Sequence, residues 1–207
     1  MTRLAVAVWI TVAACGGARS STEPVVLGEV EPGQLRSVAD FDRIRDRGAR
    51  SRALFLEMSR VLTHPRCMNC HPDGDVPHQR MGMELHDPPV LRGPEDRGVA
   101  GMECISCHQD RNQELTRVPG APKWQLAPIE MAWVGKSVAA ICAQMKDRSR
   151  NGGKTLAQIA EHNAHDELVA WGWAPGADRE PVPGTQAQFG ALTAAWVDTG
   201  AECPEEK

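Results

Sequence analysis

Four of the seven cysteines fall in two short runs, Cys67-Met68-Asn69-Cys70-His71 and Cys104-Ile105-Ser106-Cys107-His108. Each run spaces two thiols by two residues and sets a histidine directly after the second, the attachment pattern of c-type haem. The order has a chemical reason. Two thiols at this spacing reach the two vinyl groups of one haem as thioethers, and the adjacent imidazole then lies under the iron as its proximal ligand. From the residue frequencies of the chain, one such run is expected by chance about 0.01 times, so a pair of them is not noise.

Other chemistries of paired cysteines fit less well. Zinc also uses C-x-x-C pairs, but the 33 residues between Cys70 and Cys104 exceed the usual ribbon spacing, and zinc requires no histidine directly after each pair. A redox dithiol sits beside a strand and helix pattern that is absent here, and would not come twice. Two structural disulfides would close small, strained rings and leave both histidines without a role. The expectation is therefore two haem c groups, attached through Cys67, Cys70, Cys104 and Cys107, with His71 and His108 as proximal iron ligands. The motifs start 37 residues apart, which implies two centres close enough for an electron to hop between them.

Each iron takes a sixth ligand or keeps an open site, and that choice separates a carrier from an enzyme. His86, His64 and His162 compete for two distal places. His162 shares a helical face with Ile159 and Asp166, so a carboxylate one turn away can fix the tautomer of its ring. His86, fifteen residues after His71, can fold back over the first haem. His64 is too near Cys67 to cross to the far face of its own haem and more naturally reaches the other one. Met131 or Met83 is the alternative for one haem, and would raise its potential.

Cys142 and Cys203 belong to neither motif. A bridge between them would close a loop of about 60 residues and stabilise the chain by about 4 kcal/mol in the chain-entropy picture; the alternative is two unpaired buried thiols. Cys15 follows an apolar run from Leu4 to Ala14 that is too short to cross a bilayer core of roughly 30 Å and reads as the hydrophobic region of a signal peptide. The tetrad Val12, Ala13, Ala14, Cys15 resembles the lipobox of bacterial lipoproteins. That resemblance implies removal of residues 1–14, a lipid on Cys15 and a periplasmic protein held at a membrane, with the outer membrane weakly preferred because Gly16 stands where a retention signal would have Asp. An ordinary secretory signal is the alternative, and it exports the chain as well.

The elements that must position these groups are sparse. Residues 15–39, rich in Gly, Ser, Glu and Pro, are expected as a flexible tether, leaving 40–207 as the haem domain. Phe41 to Leu62 is expected as a helix with an apolar stripe of Ala53, Leu54, Leu56, Met58, Val61 and Leu62, stopping at Thr63 before Pro65. Residues 72–103 show no period, and a loop of about thirty residues suits a compact domain only if it is functional or packs on something. Ser137, Thr155 and Thr185 are expected as N-caps of three short helices, the last ending near Gly200. No stretch reads as a strand ladder. The fold class is thus mainly α and loop-rich, a small multihaem cytochrome c-like domain with few helices and long irregular segments wrapping the haems. Six Trp, three Phe and no Tyr are few aromatic side chains for a core, and a large prosthetic group would fill the interior instead. The net charge of -4 with scattered basic residues gives no electrostatic footprint for nucleic acid.

"HPRCMNCHPDGDVP", "GMECISCHQD", "LAPIEMAW", "RNGGKTL" and "DELVAWGWAPG" resemble a small bacterial family of cytochrome-like proteins labelled as subunits of isoquinoline 1-oxidoreductase, a molybdenum hydroxylase, over most of residues 55–204. The resemblance implies an electron-transfer subunit that accepts electrons from a periplasmic dehydrogenase and passes them to a respiratory acceptor. The sequence holds no molybdopterin-sized domain and no further cysteine set for a [2Fe-2S] cluster beyond the motif cysteines, so the expectation is an accessory subunit and not the catalytic one. The alternative from the enzyme class is a small dihaem peroxidase with one open iron.

Overall fold

The computed structural model describes residues 27–176 and 179–206. The lipobox with Cys15 lies outside the described residues. Among the described residues no helix is long and apolar enough to cross a membrane.

Residues Val38–Phe41 form a 3-10 turn that buries Phe41. Helix α1 (Arg47–Leu62) starts later than the sequence predicts, at Asp46, whose carboxylate accepts the Ala49 N–H. It ends on Thr63, and α2 (Pro65–Met68) follows with Pro at its first position, where the missing N–H costs nothing. Leu54, Phe55, Met58, Val61 and Leu62 of α1 are buried, whereas Leu56, expected in the apolar stripe, is 51% exposed. Two residues from Leu54 is about half a turn, so Leu56 falls on the wet side. Glu57, one turn from Leu54, takes the inward position instead. Its carboxylate accepts from the Arg36 N–H, the Arg36 guanidinium and Arg60 at 3.0, 2.6 and 2.8 Å. The need to pair that carboxylate explains why residues 31–39, expected as tether, lie against α1, with Leu35 in the core and Arg60 donating to the carbonyls of Glu31 and Pro32.

Residues 72–103 hold two small ladders that the sequence does not announce: β1 (His78–Gln79) with β2 (Glu84–Leu85), and β3 (Gly98–Val99) with β4 (Met102–Glu103). Strands of two residues, none with a buried side chain because the one buried position is Gly98, leave no alternation to read. Arg92, 6% exposed, ties this loop together by donating to Asp96, the Gly74 carbonyl and the Ala127 carbonyl. Helix α3 (Cys104–Cys107) follows β4 directly.

The C-terminal half is the helical body. Ser137, Thr155 and Thr185 cap α4 (Val138–Lys146), α5 (Leu156–His165) and, after the short α6 (Glu167–Ala170), α7 (Gln186–Asp198). Helices α5 and α7 pack at Gly190, where a Cβ would come within 2.5 Å of the Ala164 Cβ, so only glycine permits this approach. Helix α1 lies on α7 with Phe55 against Trp196, ring centroids 5.1 Å apart. Cys142 of α4 and Cys203 are joined as a disulfide, which fastens the C-terminal segment to α4. The fold is mainly α, with its core shared by α1, α4, α5 and α7.

Candidate haem sites

The first motif occupies α2 and the turn after it. Cys67, Cys70 and His71 line a cleft of about 240 Å³ together with Met131, Trp133, Ile159, His162 and Trp171. The His71 Nδ1–H donates to the Met131 carbonyl at 2.7 Å. A carbonyl only accepts, so the proton sits on Nδ1 and Nε2 keeps its lone pair. Trp133 stacks flat on the ring, 3.5 Å between centroids and 3° between planes, and its indole N–H is anchored on Gln144 of α4 at 2.8 Å. Burial pushes His71 down to about 4, which keeps it neutral. Burial pushes the Cys67 thiol up to about 12 and the Cys70 thiol up to about 11, where the neighbouring Cys104 adds to the effect. Such thiols form thiolate reluctantly.

His162 of α5 lines the same cleft. Its Nδ1 lies 3.3 Å from the Asp166 carboxylate, and the hydrogen bond from His162 holds the Asp166 carboxyl down at about 2 despite its burial. Asp166 also accepts from the Leu168 and Val169 N–H groups as the cap of α6. The carboxylate is thus fixed by α6, and it orients the imidazole through Nδ1.

The second motif repeats this design in a more open setting. The His108 Nδ1–H donates to the Pro119 carbonyl at 2.8 Å, and Trp124 stacks on the ring at 4.5 Å and 6°. Burial lowers the pKa of His108. Gly120 makes the return possible: a Cβ there would stand 2.3 Å from the Gln109 carbonyl oxygen and 2.4 Å from that of Arg111. His86 faces His108, not the first motif over which the sequence suggested it folds. Their ring centroids are 5.9 Å apart and their planes meet at 71°, so these two imidazoles are the pair that could hold one iron here. The reason is local: the β1–β2 hairpin turns the chain back, and His86 is held by its N–H on the Pro77 carbonyl and its Nδ1–H on the Pro88 carbonyl at 2.8 Å.

The third distal candidate, His64, has a different occupation. Its Nδ1 accepts the Arg66 N–H at 3.2 Å as the cap of α2, so in the neutral ring the proton is on Nε2, the opposite tautomer from His71, His86 and His108. Burial lowers its pKa as well. The Met131 side chain lines the first cleft, whereas Met83 is an exposed turn residue. Sequence reasoning missed the carbonyls of Met131, Pro119 and Pro88, and it missed Trp124 and Trp133. The available signal was an excess of Trp over Phe with no Tyr, two of those Trp lying in otherwise irregular stretches after the motifs.

Among the described residues, no three His, Cys, Asp or Glu side chains gather to hold a bare ion; a haem iron asks the protein for two ligands at most. A larger cavity, about 860 Å³, lies under residues 27–36 and is lined by no cysteine or histidine. Comparisons with protein-family models, curated proteins and solved structures find no match to this chain.

Proposed function

We propose that this chain is an exported electron-transfer protein carrying two haem c groups, one on Cys67 and Cys70 and the other on Cys104 and Cys107. The observation that carries the reading is what repeats at the two motifs, a histidine with Nδ1–H held by a carbonyl and a Trp stacked on its ring, together with a further tethered histidine near each: His86 facing His108 and His162 lining the cleft of His71. Tethering the outer nitrogen to a carbonyl or carboxylate is how proteins orient metal-ligating imidazoles. The pairs are His71 with His162 and His108 with His86, while His64 caps a helix.

Held by these residues, each haem would supply one reversible one-electron centre. The protein's contribution is orientation and environment. Lys123, Lys154 and Arg66 line the first cleft and offer cations to the propionates. The long segments around residues 72–103 and 109–136 would surround the two groups. On the lipobox reading the carrier is tethered at a membrane surface in the periplasm. On the family resemblance its donor is a dehydrogenase, of the molybdenum hydroxylase type, and its acceptor belongs to a respiratory chain.

A carrier and a peroxidase-type enzyme differ at the sixth position. Exposing the dithionite-reduced protein to carbon monoxide separates them: two imidazole-capped irons leave the spectrum unchanged, whereas rapid adduct formation at one haem supports the enzyme reading and overturns this one.

A further inference from the structure

Trp124 and Trp171 form a continuous aromatic contact between the two sites. Trp124 lies flat on His108, and Trp171 meets it edge-on, centroids 5.0 Å apart at 82°. Trp171 in turn lines the cleft of Cys67, Cys70 and His71. Its orientation is fixed rather than incidental. The indole N–H donates to Asn112 Oδ1 at 2.9 Å, the same oxygen accepts the Gly120 N–H, and Asn112 Nδ2 donates to the Ala174 carbonyl. Asn112 thereby clamps the loop that carries His108's carbonyl partner to the turn that carries Trp171. The Arg66 guanidinium stands over the Trp171 ring, 6.0 Å from its centroid.

We infer that Trp171 and Trp124 are the electron-mediating bridge between the two haem sites, with Asn112 as the residue that positions it; this rests on the dihaem reading above. One electron leaves a ferrous haem and arrives at the ferric one, so one iron is oxidised as the other is reduced. No bond forms or breaks and no proton moves. The indoles stay reduced throughout, because a cation over the face of Trp171 opposes positive charge on that ring.

The test compares Trp171→Leu, Trp171→Phe, Trp124→Leu and Asn112→Leu in the haem-loaded protein, measuring haem content, both reduction potentials, the EPR signals and the inter-haem transfer rate after flash reduction. Trp171→Leu and Trp124→Leu should slow transfer by about an order of magnitude at equal driving force, after allowance for any measured change in either potential, and Trp171→Phe should restore most of the rate. Asn112→Leu should slow it less. Transfer indifferent to both leucine substitutions at equal driving force overturns the bridge, and so does a loss of rate fully accounted for by shifted potentials. Trp124 is half-exposed, so Trp124→Leu keeps the test intact should Trp171→Leu not take up haem. A wild-type chain with fewer than two haems contradicts the dihaem reading itself, a different outcome from failure of the bridge.

Discussion

Replacing both Cys142 and Cys203 by alanine releases a loop with a sequence separation of 61 residues. In the chain-entropy picture a loop of that length confers about 4 kcal/mol. Cys142 is fully buried, so deleting its sulfur leaves a small void that adds up to about 1 kcal/mol. For a chain of this size each kcal/mol moves Tm by roughly 2–4 °C, so the bridge alone corresponds to roughly 8–16 °C. The loss should also reach the first site in a defined order. Helix α4 carries Gln144, which anchors Trp133 on His71, so amide exchange in residues 131–145 should accelerate more than in 112–120. The assay is thermal unfolding by circular dichroism on oxidised, haem-loaded protein, with hydrogen exchange on the same samples. A double variant melting within about 2 °C of wild type would refute the reasoning, and uniform acceleration of exchange would refute the proposed route.

His162→Ala and His86→Ala should each convert one of two low-spin ferric signals to high spin in low-temperature EPR, while His64→Ala should leave both low-spin and cost about 1 kcal/mol as a lost cap; an unchanged spectrum for His162→Ala or His86→Ala removes that residue as a ligand. Glu57 is raised by burial but brought below its ordinary 4.5 by hydrogen bonds from Arg36 and Arg60. A depressed carboxyl stabilises the fold above that value and loses its contribution as pH falls below it. Glu57→Gln should therefore cost about 2 kcal/mol at pH 7 and flatten the decline in stability below pH 4.5, as read from urea unfolding across pH. Gly120→Ala should force the 119–120 return off the Gln109 and Arg111 carbonyls, costing about 1–3 kcal/mol and lowering haem occupancy at the second motif alone, measured by peptide mass mapping.

The helical body was legible because its signals are local. Ser137, Thr155 and Thr185 sit where a cap must, and Pro65 ends one helix and opens the next. The two C-x-x-C-H runs stand out in the sequence because each is complete within five positions. What escaped was set by distance in the chain. The carbonyl that holds His71 comes from 60 residues away, and the pairing of His86 with His108 depends on hairpins of two-residue strands that leave no hydrophobic period. His64 could have been placed from its neighbours, since a polar side chain directly before Pro-Arg at a helix start is positioned to accept from the following N–H. Glu57 escaped because a carboxylate on a buried helical face looks like an error until its two arginines, one 21 residues upstream, are found.

Intact-protein mass spectrometry of the chain produced alongside the c-haem maturation machinery tests the central claim most directly. The account predicts a mass raised by two covalently bound haems that survives acid denaturation, falling to one haem in Cys67→Ala/Cys70→Ala and likewise in Cys104→Ala/Cys107→Ala. A colourless protein of unmodified mass, or one whose only addition is a zinc ion, would contradict it.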